Sequence, residues 1–262
     1  MEYLHFEERV ITSNWELRKM ESHPYYEIYI LLKGQRVLFL KNRMISVPES
    51  SILVIPPFMP HRTSGGGYHR INIWVSPSLL DKESIDFLEA NKVPTVFTLN
   101  PKLREALYSV LSSASSFKED NHKNALKYKK SFFNVAFYYL KQCSICTENV
   151  LSDVKQEEKL LLPILTYIND NLSEKITVER LCEKFFCSRS YLYSKFKDIM
   201  GCSIADYLLF ARINESKNML TSTKKKLQII ADECGFSSLN YFSLIFKQKV
   251  GMSPSAFRKK YK

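Results

Sequence analysis

Leu227-Gln-Ile-Ile-Ala-Asp-Glu-Cys-Gly-Phe-Ser-Ser-Leu-Asn-Tyr-Phe-Ser-Leu-Ile-Phe-Lys-Gln-Lys-Val-Gly-Met-Ser-Pro-Ser-Ala-Phe-Arg258 reads as two short helices around a tight turn. Leu227, Ile230 and Ala231 recur at helical spacing, Gly235 supplies the left-handed residue that ends the first helix, and Ser237 or Ser238 caps the second. On the second helix Phe242, Ile245, Phe246 and Lys249 keep i, i+3, i+4, i+7 spacing, which turns the aromatics inward. The opposite face carries Asn240, Ser243, Leu244 and Lys247, a strip of small polar and basic groups suited to a DNA major groove.

The module occurs twice. Shifted by fifty residues, Tyr191/Tyr241, Leu192/Phe242, Phe196/Phe246, Lys197/Lys247, Gly201/Gly251, Ser203/Ser253 and Tyr207/Phe257 coincide, and the same shift pairs Phe186 with Phe236 and Ser188 with Ser238. The first copy is predicted as a helix from Ile164 to Asn171, a second from Val178 to Phe185 behind an N-cap at Thr177, a turn at Cys187, and a recognition helix from Arg189 to Met200. On that helix Leu192, Phe196 and Ile199 point inward while Ser190, Tyr193, Ser194 and Lys197 point out. Between the copies Ala205 to Leu220 predicts a helix of roughly 24 Å, at about 1.5 Å per residue. Such a spacer can hold two recognition helices about one DNA turn, near 34 Å, apart.

The formal net charge of the 262 residues is +11, and from Arg189 to the end fourteen Lys/Arg face five Asp/Glu. An electrostatic footprint for a polyanion therefore lies at the C-terminus, with the Lys224-Lys225-Lys226 run placed to meet phosphate. The start, Met-Glu-Tyr-Leu-His-Phe-Glu-Glu-Arg, has neither a basic region nor an apolar core, and no apolar run approaches the length of a membrane span, which predicts a cytoplasmic protein without a membrane partner. Cysteines 143, 146, 182, 187, 202 and 234 read as reduced thiols, and Cys143-Ser-Ile-Cys146 lacks the second pair a zinc site would need.

Gly-Phe-Ser-Ser-x-x-Tyr-Phe-x-x-x-Phe-Lys-x-x-x-Gly-x-Ser-Pro, at Gly235 to Pro254, resembles the signature of the AraC/XylS family of bacterial transcription regulators. The resemblance implies a DNA-binding domain over 157–262, with helix-turn-helix one at about 177–199, a linker helix at about 204–220 and helix-turn-helix two at about 227–249. Double-stranded DNA is then the partner of Arg189, Ser190, Tyr193, Ser194, Lys197, Ser238, Leu239, Asn240, Ser243, Leu244 and Lys247. Tyr193, Ser194, Asn240 and Leu244 stand where the family places base-contacting side chains. RNA polymerase joins the partners if the protein is an activator.

Residues 1 to about 100 are rich in Tyr, Val, Ile and Phe, punctuated at Pro24, Gly34, Pro48, Pro56-Pro57, Pro60 and Gly65-Gly66-Gly67, the texture of an all-β barrel or sandwich. Strands are predicted at Tyr26 to Leu32, Arg36 to Leu40, Ser51 to Ile55 and Arg70 to Val75. Alternation puts His23, Tyr25, Glu27 and Tyr29 on one face and Tyr26, Ile28, Ile30 and Leu32 on the other. The segment resembles the cupin-like sensor domain of the same family through His23-x-x-x-Glu27-x6-Gly34, Pro48-Glu-Ser and Ile55-Pro-Pro-x-x-Pro-His61. Metal-binding cupins carry a further His where Glu21 stands and a Gly where Ser50 stands. A divalent ion held by Glu21, His23, Glu27 and His61 is chemically possible. The departures favour a metal-free pocket, with no cofactor, in which His23, Tyr25, Glu27, Tyr29, His61 and Trp74 bind a small-molecule effector such as a sugar. Barrel-fill side chains with no ligand are the bland alternative.

Pro101 to Lys118 and Ala125 to Gln142 predict amphipathic helices; the resemblance implies that they flank the barrel and can pair two copies into a homodimer, simple packing on the barrel being the alternative. Thr147 to Gln156 is polar and predicts a linker. The expected fold is α+β in two domains: a cupin-like β-barrel with flanking helices over 1–146, the linker at 147–156, and an all-α domain of two helix-turn-helix modules joined by a linker helix. The expected activity is effector-responsive transcription regulation. The competing readings are a sensor kept only for dimerisation and a metal-dependent cupin enzyme fused to DNA-binding helices; the incomplete metal motif argues against the enzyme.

Overall fold

A computed structural model of the protein describes residues 2–12, 20–40, 44–91, 94–115, 122–146 and 156–261. Among the described residues nine strands occupy the first half: β1 (Leu4–Ile11), β2 (Tyr26–Lys33), β3 (Arg36–Phe39), β4 (Met44–Val47), β5 (Ser51–Ile55), β6 (Arg62–Ser64), β7 (Tyr68–Val75), β8 (Val96–Thr98) and β9 (Ser144–Ile145). They form a six-stranded sheet in the order β1-β7-β2-β5-β8-β9 and a three-stranded sheet β4-β3-β6. The α-helices that accompany them among the described residues are α1 (Lys82–Ala90), α2 (Pro101–Ser115) and α3 (His122–Lys141).

The alternation of β2 sorts its side chains as the sequence requires. Ile28, Ile30 and Leu32 join a core with Leu88 of α1, Leu107 and Leu111 of α2, and Phe133 and Phe137 of α3. Tyr29 and Leu31 point the other way, onto Leu38, Ile45 and Val47 of the small sheet. Where a closed barrel is expected, the described residues show no ladder between the two sheets, and apolar side chains hold them face to face. The β2–β3 turn requires Gly34, which sits at φ +92°, where a Cβ would collide with the Gly67 carbonyl.

The regular structure described in the second half is helical: α4 (Gln156–Asp170), α5 (Val178–Phe185), α6 (Arg189–Met200), α7 (Ile204–Ser222), α8 (Leu227–Glu233), α9 (Leu239–Val250) and α10 (Pro254–Tyr261). The core of its first module continues across to the outer face of the small sheet, where Val37, Phe39 and Met44 pack with Leu161, Ile164 and Leu165 of α4. Layers therefore run from helices through the large sheet and the small sheet to the first helical module.

The four expected strands are present. β1, β4, β6, β8, β9 and α1 were not anticipated, because they are short or charged: β6 is Arg-Thr-Ser, yet all three residues are buried. Of the expected linker only Gln156 lies within the described residues, as the first residue of α4, and Lys118 lies outside them.

Candidate DNA interface and effector site

Each recognition helix is bounded by the residues its sequence supplies. Ser188 caps α6 by accepting the Tyr191 N–H at 3.2 Å, Ser238 caps α9 by accepting the Tyr241 N–H at 3.2 Å, and Gly201 and Gly251 end the two helices in the left-handed conformation. Leu192, Phe196 and Met200 bury one face of α6, while Phe242 and Phe246 bury that of α9. The opposite faces are open: Arg189, Ser190, Tyr193, Ser194 and Lys197 on α6, and Asn240, Leu244 and Lys247 with the cap Ser238 on α9, are all exposed. Ser243 is half-buried, and Leu239 turns partly inward onto the module core. Arg189 is paired with Glu179 at 3.1 Å, and Ser194 donates to Asp198 at 3.3 Å.

The repeat needs one correction in its turns. Phe186 and Phe236 do not correspond: Phe186 is 96% exposed at φ 51°, whereas Phe236 is buried at 6%. The Cys187 N–H bonds the Cys182 carbonyl just as the Phe236 N–H bonds that of Ala231. The structural counterpart of Phe186 is thus Gly235, and Cys187 takes the place of Phe236. Module two has one more residue before its cap, and the fifty-residue shift resumes only at Ser188 and Ser238. Gly235 is obligatory at φ +76°, since a Cβ there would strike the Leu172 carbonyl.

The spacer α7 is nineteen residues long, roughly 28 Å at about 1.5 Å per residue. Arg212 fastens it to the turn that follows α4 by donating to the carbonyls of Leu172 and Glu174 at 3.0 and 2.8 Å. In the lysine run beyond it, Lys225 grips both oxygens of Glu233 at 2.8 and 2.7 Å, which spends its charge locally. Lys224 and Lys226 carry no such bridge among the described residues.

The polar face of the large sheet forms the second site. Antiparallel register places Glu27 opposite Trp74, Tyr29 opposite Asn72 and Leu31 opposite Arg70, and on the far side of β7 sets Glu7 opposite Asn72 and Arg9 opposite Arg70. Directly opposed residues share a face, so these rows converge. All of these but Leu31 line a cavity of about 240 Å3 together with Glu21, His61 and Thr63. Of the expected effector residues, Glu27, Tyr29, His61 and Trp74 line it. His23 reaches it through Glu27, and Tyr25 lies outside, its ring stacked on Tyr3 at 4.3 Å. Arg70 and Asn72 were missed, although the strand carrying them was expected and its alternation places them on the face of Trp74.

At the cavity wall His23 Nε2 and His61 Nε2 approach the same oxygen, Glu27 Oε2, at 2.9 and 3.2 Å. The other carboxylate oxygen accepts from Asn72 Nδ2 at 2.5 Å. Each imidazole Nδ1 faces a backbone carbonyl, that of Tyr25 at 3.1 Å and that of Met59 at 3.0 Å. A carbonyl can only accept, so each Nδ1 carries a proton and each Nε2 presents a lone pair to the carboxylate unless it is protonated too. A positive charge must therefore sit in the cluster. Burial alone would lower the His61 pKa, but the bond and charge of Glu27 outweigh it and raise it. Burial alone would raise that of Glu27, and the two histidines hold it instead well below the usual carboxylate range. The three ligand atoms lie within 4.8 Å of one another, a two-imidazole, one-carboxylate set that suits a transition ion. Glu21, the fourth residue considered for such an ion, shares a backbone bridge with His61 but is not part of this set.

Residues 8–135 match a family described as the AraC-like ligand binding domain, and residues 181–260 one described as a helix-turn-helix domain. The chain belongs to the AraC/XylS family of transcription regulators. It is 27% identical over 237 residues to the probable transcriptional regulator LumQ of Photobacterium leiognathi, covering 90% of each chain. To the transcriptional activator RhaR of Klebsiella pneumoniae it is 35% identical over 105 residues, 40% of this chain and 37% of RhaR, so that it spans little more than a third of that relative. The solved C-terminal domain of the response regulator yesN from Fusobacterium nucleatum is 31% identical and covers 40% of this chain and 99% of that one, with a TM-score of 0.36. This AraC/XylS regulator thus joins an AraC-like ligand binding domain to a helix-turn-helix domain, and the relatives named are transcription regulators. None of its helices, among the described residues, is long and apolar enough to cross a membrane.

Proposed function

We propose that the protein is a cytoplasmic, effector-responsive regulator that reads DNA with α6 and α9 and senses a small polar molecule, of which a sugar is the best-suited class, between its two sheets. The sheets act together as the sensor's barrel, and α2 and α3 pair two copies into a homodimer. As an activator it would also meet RNA polymerase. The observation that carries the sensing role is a pair of orphaned polar atoms: Arg70 Nη1 and Asn72 Oδ1 are buried without a hydrogen-bond partner, and both residues line the cavity. An unmade buried hydrogen bond costs about 1 to 3 kcal/mol, which a ligand offering both a donor and an acceptor recovers. Sugar hydroxyls offer both, and a neutral sugar suits a lining in which Arg9, Arg70 and His61 balance Glu7, Glu21 and Glu27. A thermal-shift screen of sugars and small polar metabolites tests this. A true effector raises the melting temperature of the wild type and fails to do so for Arg70→Met and Asn72→Ala, and an effector that shifts all three equally removes the assignment.

A further inference from the structure

Module one carries two thiols where module two carries an ordinary apolar contact. Helix α5 ends at the left-handed Phe186, and the Cys182 carbonyl accepts both the Phe186 N–H and, at 3.1 Å, the Cys187 N–H. A helix end closed by this second bond turns the side chains of its two partners toward each other. In module two the equivalent bond joins Ala231 and Phe236, and both are buried in the module core. In module one the same places hold Cys182 and Cys187, free thiols that are only half-buried at the edge of the core built on Leu181, Leu192 and Phe196. Burial first, and then the neighbouring Cys182 thiol, raise the Cys187 pKa. The C-x-x-C of the sensor makes no such pair: Cys143 packs with the helices on the large sheet, and Cys146 packs between the two sheets.

We infer that Cys182 and Cys187 form an oxidisable dithiol, closed to a disulfide by a hydroperoxide, at the turn that sets the start of the first recognition helix. In the first step one thiolate attacks a peroxide oxygen; the S–O bond forms, the O–O bond breaks, and the alcohol, or water from hydrogen peroxide, leaves with the thiol's proton. In the second step the other sulfur attacks the sulfenic sulfur; the S–S bond forms, and hydroxide departs with the second thiol's proton as water. Each sulfur gives up one electron overall and the peroxide takes up two. Cys187, kept protonated by its surroundings, suits the second step, in which its proton leaves with the hydroxide. Ser188, next in the chain, caps α6, and Arg189 begins the exposed face of that helix. A disulfide holds its sulfurs far closer than two thiols in contact and imposes its own torsion, so closing it shifts the cap and first turn of α6 against α5. Ala231 and Phe236 have no such chemistry, which confines the response to module one. In a reducing compartment a bond of this kind is transient, as a sensor requires. The chemistry of the pair stands without the DNA-binding reading; its effect on binding rests on that reading.

The full chain, reduced and then treated with hydrogen peroxide, is alkylated, digested with trypsin without reductant and mapped by mass spectrometry. Cleavage after Arg180, Lys184 and Arg189 puts the two cysteines on separate peptides, 181–184 and 185–189, so their disulfide appears as one linked species that reductant splits. That species should form from the wild type and be absent from Cys182→Ala and Cys187→Ala. A duplex selected by the reduced protein should bind the treated wild type roughly 5- to 100-fold more weakly, the effect of one lost base contact, and reductant should restore it. Cys187→Ala should keep its affinity through the same treatment. If the linked peptides do not form from folded wild type, or if wild type and Cys187→Ala lose affinity equally, the switch is refuted. Linked peptides from a chain that selects no duplex would support the dithiol and count against the DNA-binding reading instead.

Discussion

The ring of Phe58 meets that of Phe257 at 5.4 Å between centroids, nearly edge to face, while the Phe58 N–H is held by the His23 carbonyl at 2.7 Å. One loop residue thus touches the sensor's charged cluster through its backbone and helix α10 of the second module through its side chain; Tyr261 closes on the same ring at 5.6 Å. Phe58 does this at φ 59°, a conformation that costs a non-glycine residue about 1 kcal/mol or more.

Removing the ring should therefore loosen the second module without unfolding either half. Phe58→Ala is expected to cost about 0.5 to 1.5 kcal/mol of docking, read as faster amide exchange in α10 with protection in β2 and β7 unchanged. Equal loss of protection in the sheet would mean that Phe58 is an ordinary core residue of the sensor.

The His23–Glu27–His61 cluster sets a pH window. Glu27 titrates lower in the folded chain than in the unfolded one, so its stabilisation is complete above its ordinary value of about 4.5 and is lost as pH falls through the depressed one. His61 titrates higher when folded, so its share is complete below its ordinary 6.5 and fades as pH rises through the raised value. Stability from the cluster should peak between those ordinary values and decline above neutrality. Glu27→Gln should abolish the alkaline decline in melting temperature. A chelator should leave the wild-type profile unchanged if protons supply the positive charge, and an alkaline profile that flattens with zinc and steepens with chelator would assign that charge to a metal instead.

Phe186 occupies the left-handed turn position that Gly235 fills in the other module, with its ring in solvent. Phe186→Gly should accordingly stabilise the fold by about 1 kcal/mol in urea unfolding, since it relieves backbone strain and gives up almost no buried surface. Phe236→Ala should cost about 3 to 5 kcal/mol, because that ring is core.

The helix-turn-helix half was legible because its determinants are local: the serine caps, Gly201, Gly235, Gly251 and the apolar spacing of Leu192, Phe196, Phe242 and Phe246 each act within a turn or two of chain. Pairing Phe186 with Phe236 failed because a fixed shift assumes turns of equal length. In the sensor, the alternation of β2 puts Glu27 and Tyr29 on one face, where they line the sheet cavity, but Arg70 and Asn72 join that lining only once β7 is paired between β1 and β2. An interdomain feature such as Phe58 on Phe257 joins residues far apart in the chain and has no sequence signature.

The outward residues of the recognition helices divide into those that can read bases and those that can only offer charge. Asn240 is exposed near the start of α9 and its amide can pair with adenine through two bonds, so Asn240→Ala should cost about 1 to 3 kcal/mol on the cognate site and relax preference at one base pair. Lys224 and Lys226 offer charge alone. Replacing both with Ala should weaken cognate and scrambled duplexes alike and lower the slope of log K against log salt by about 2. Lys225 lies in the same run but is bound by Glu233, so Lys225→Ala should change that slope by well under one unit. Titrations of the three variants at several salt concentrations separate the roles. An Asn240 variant that loses cognate and scrambled binding equally, or a Lys225 variant with the largest salt effect of the run, would reverse the assignment.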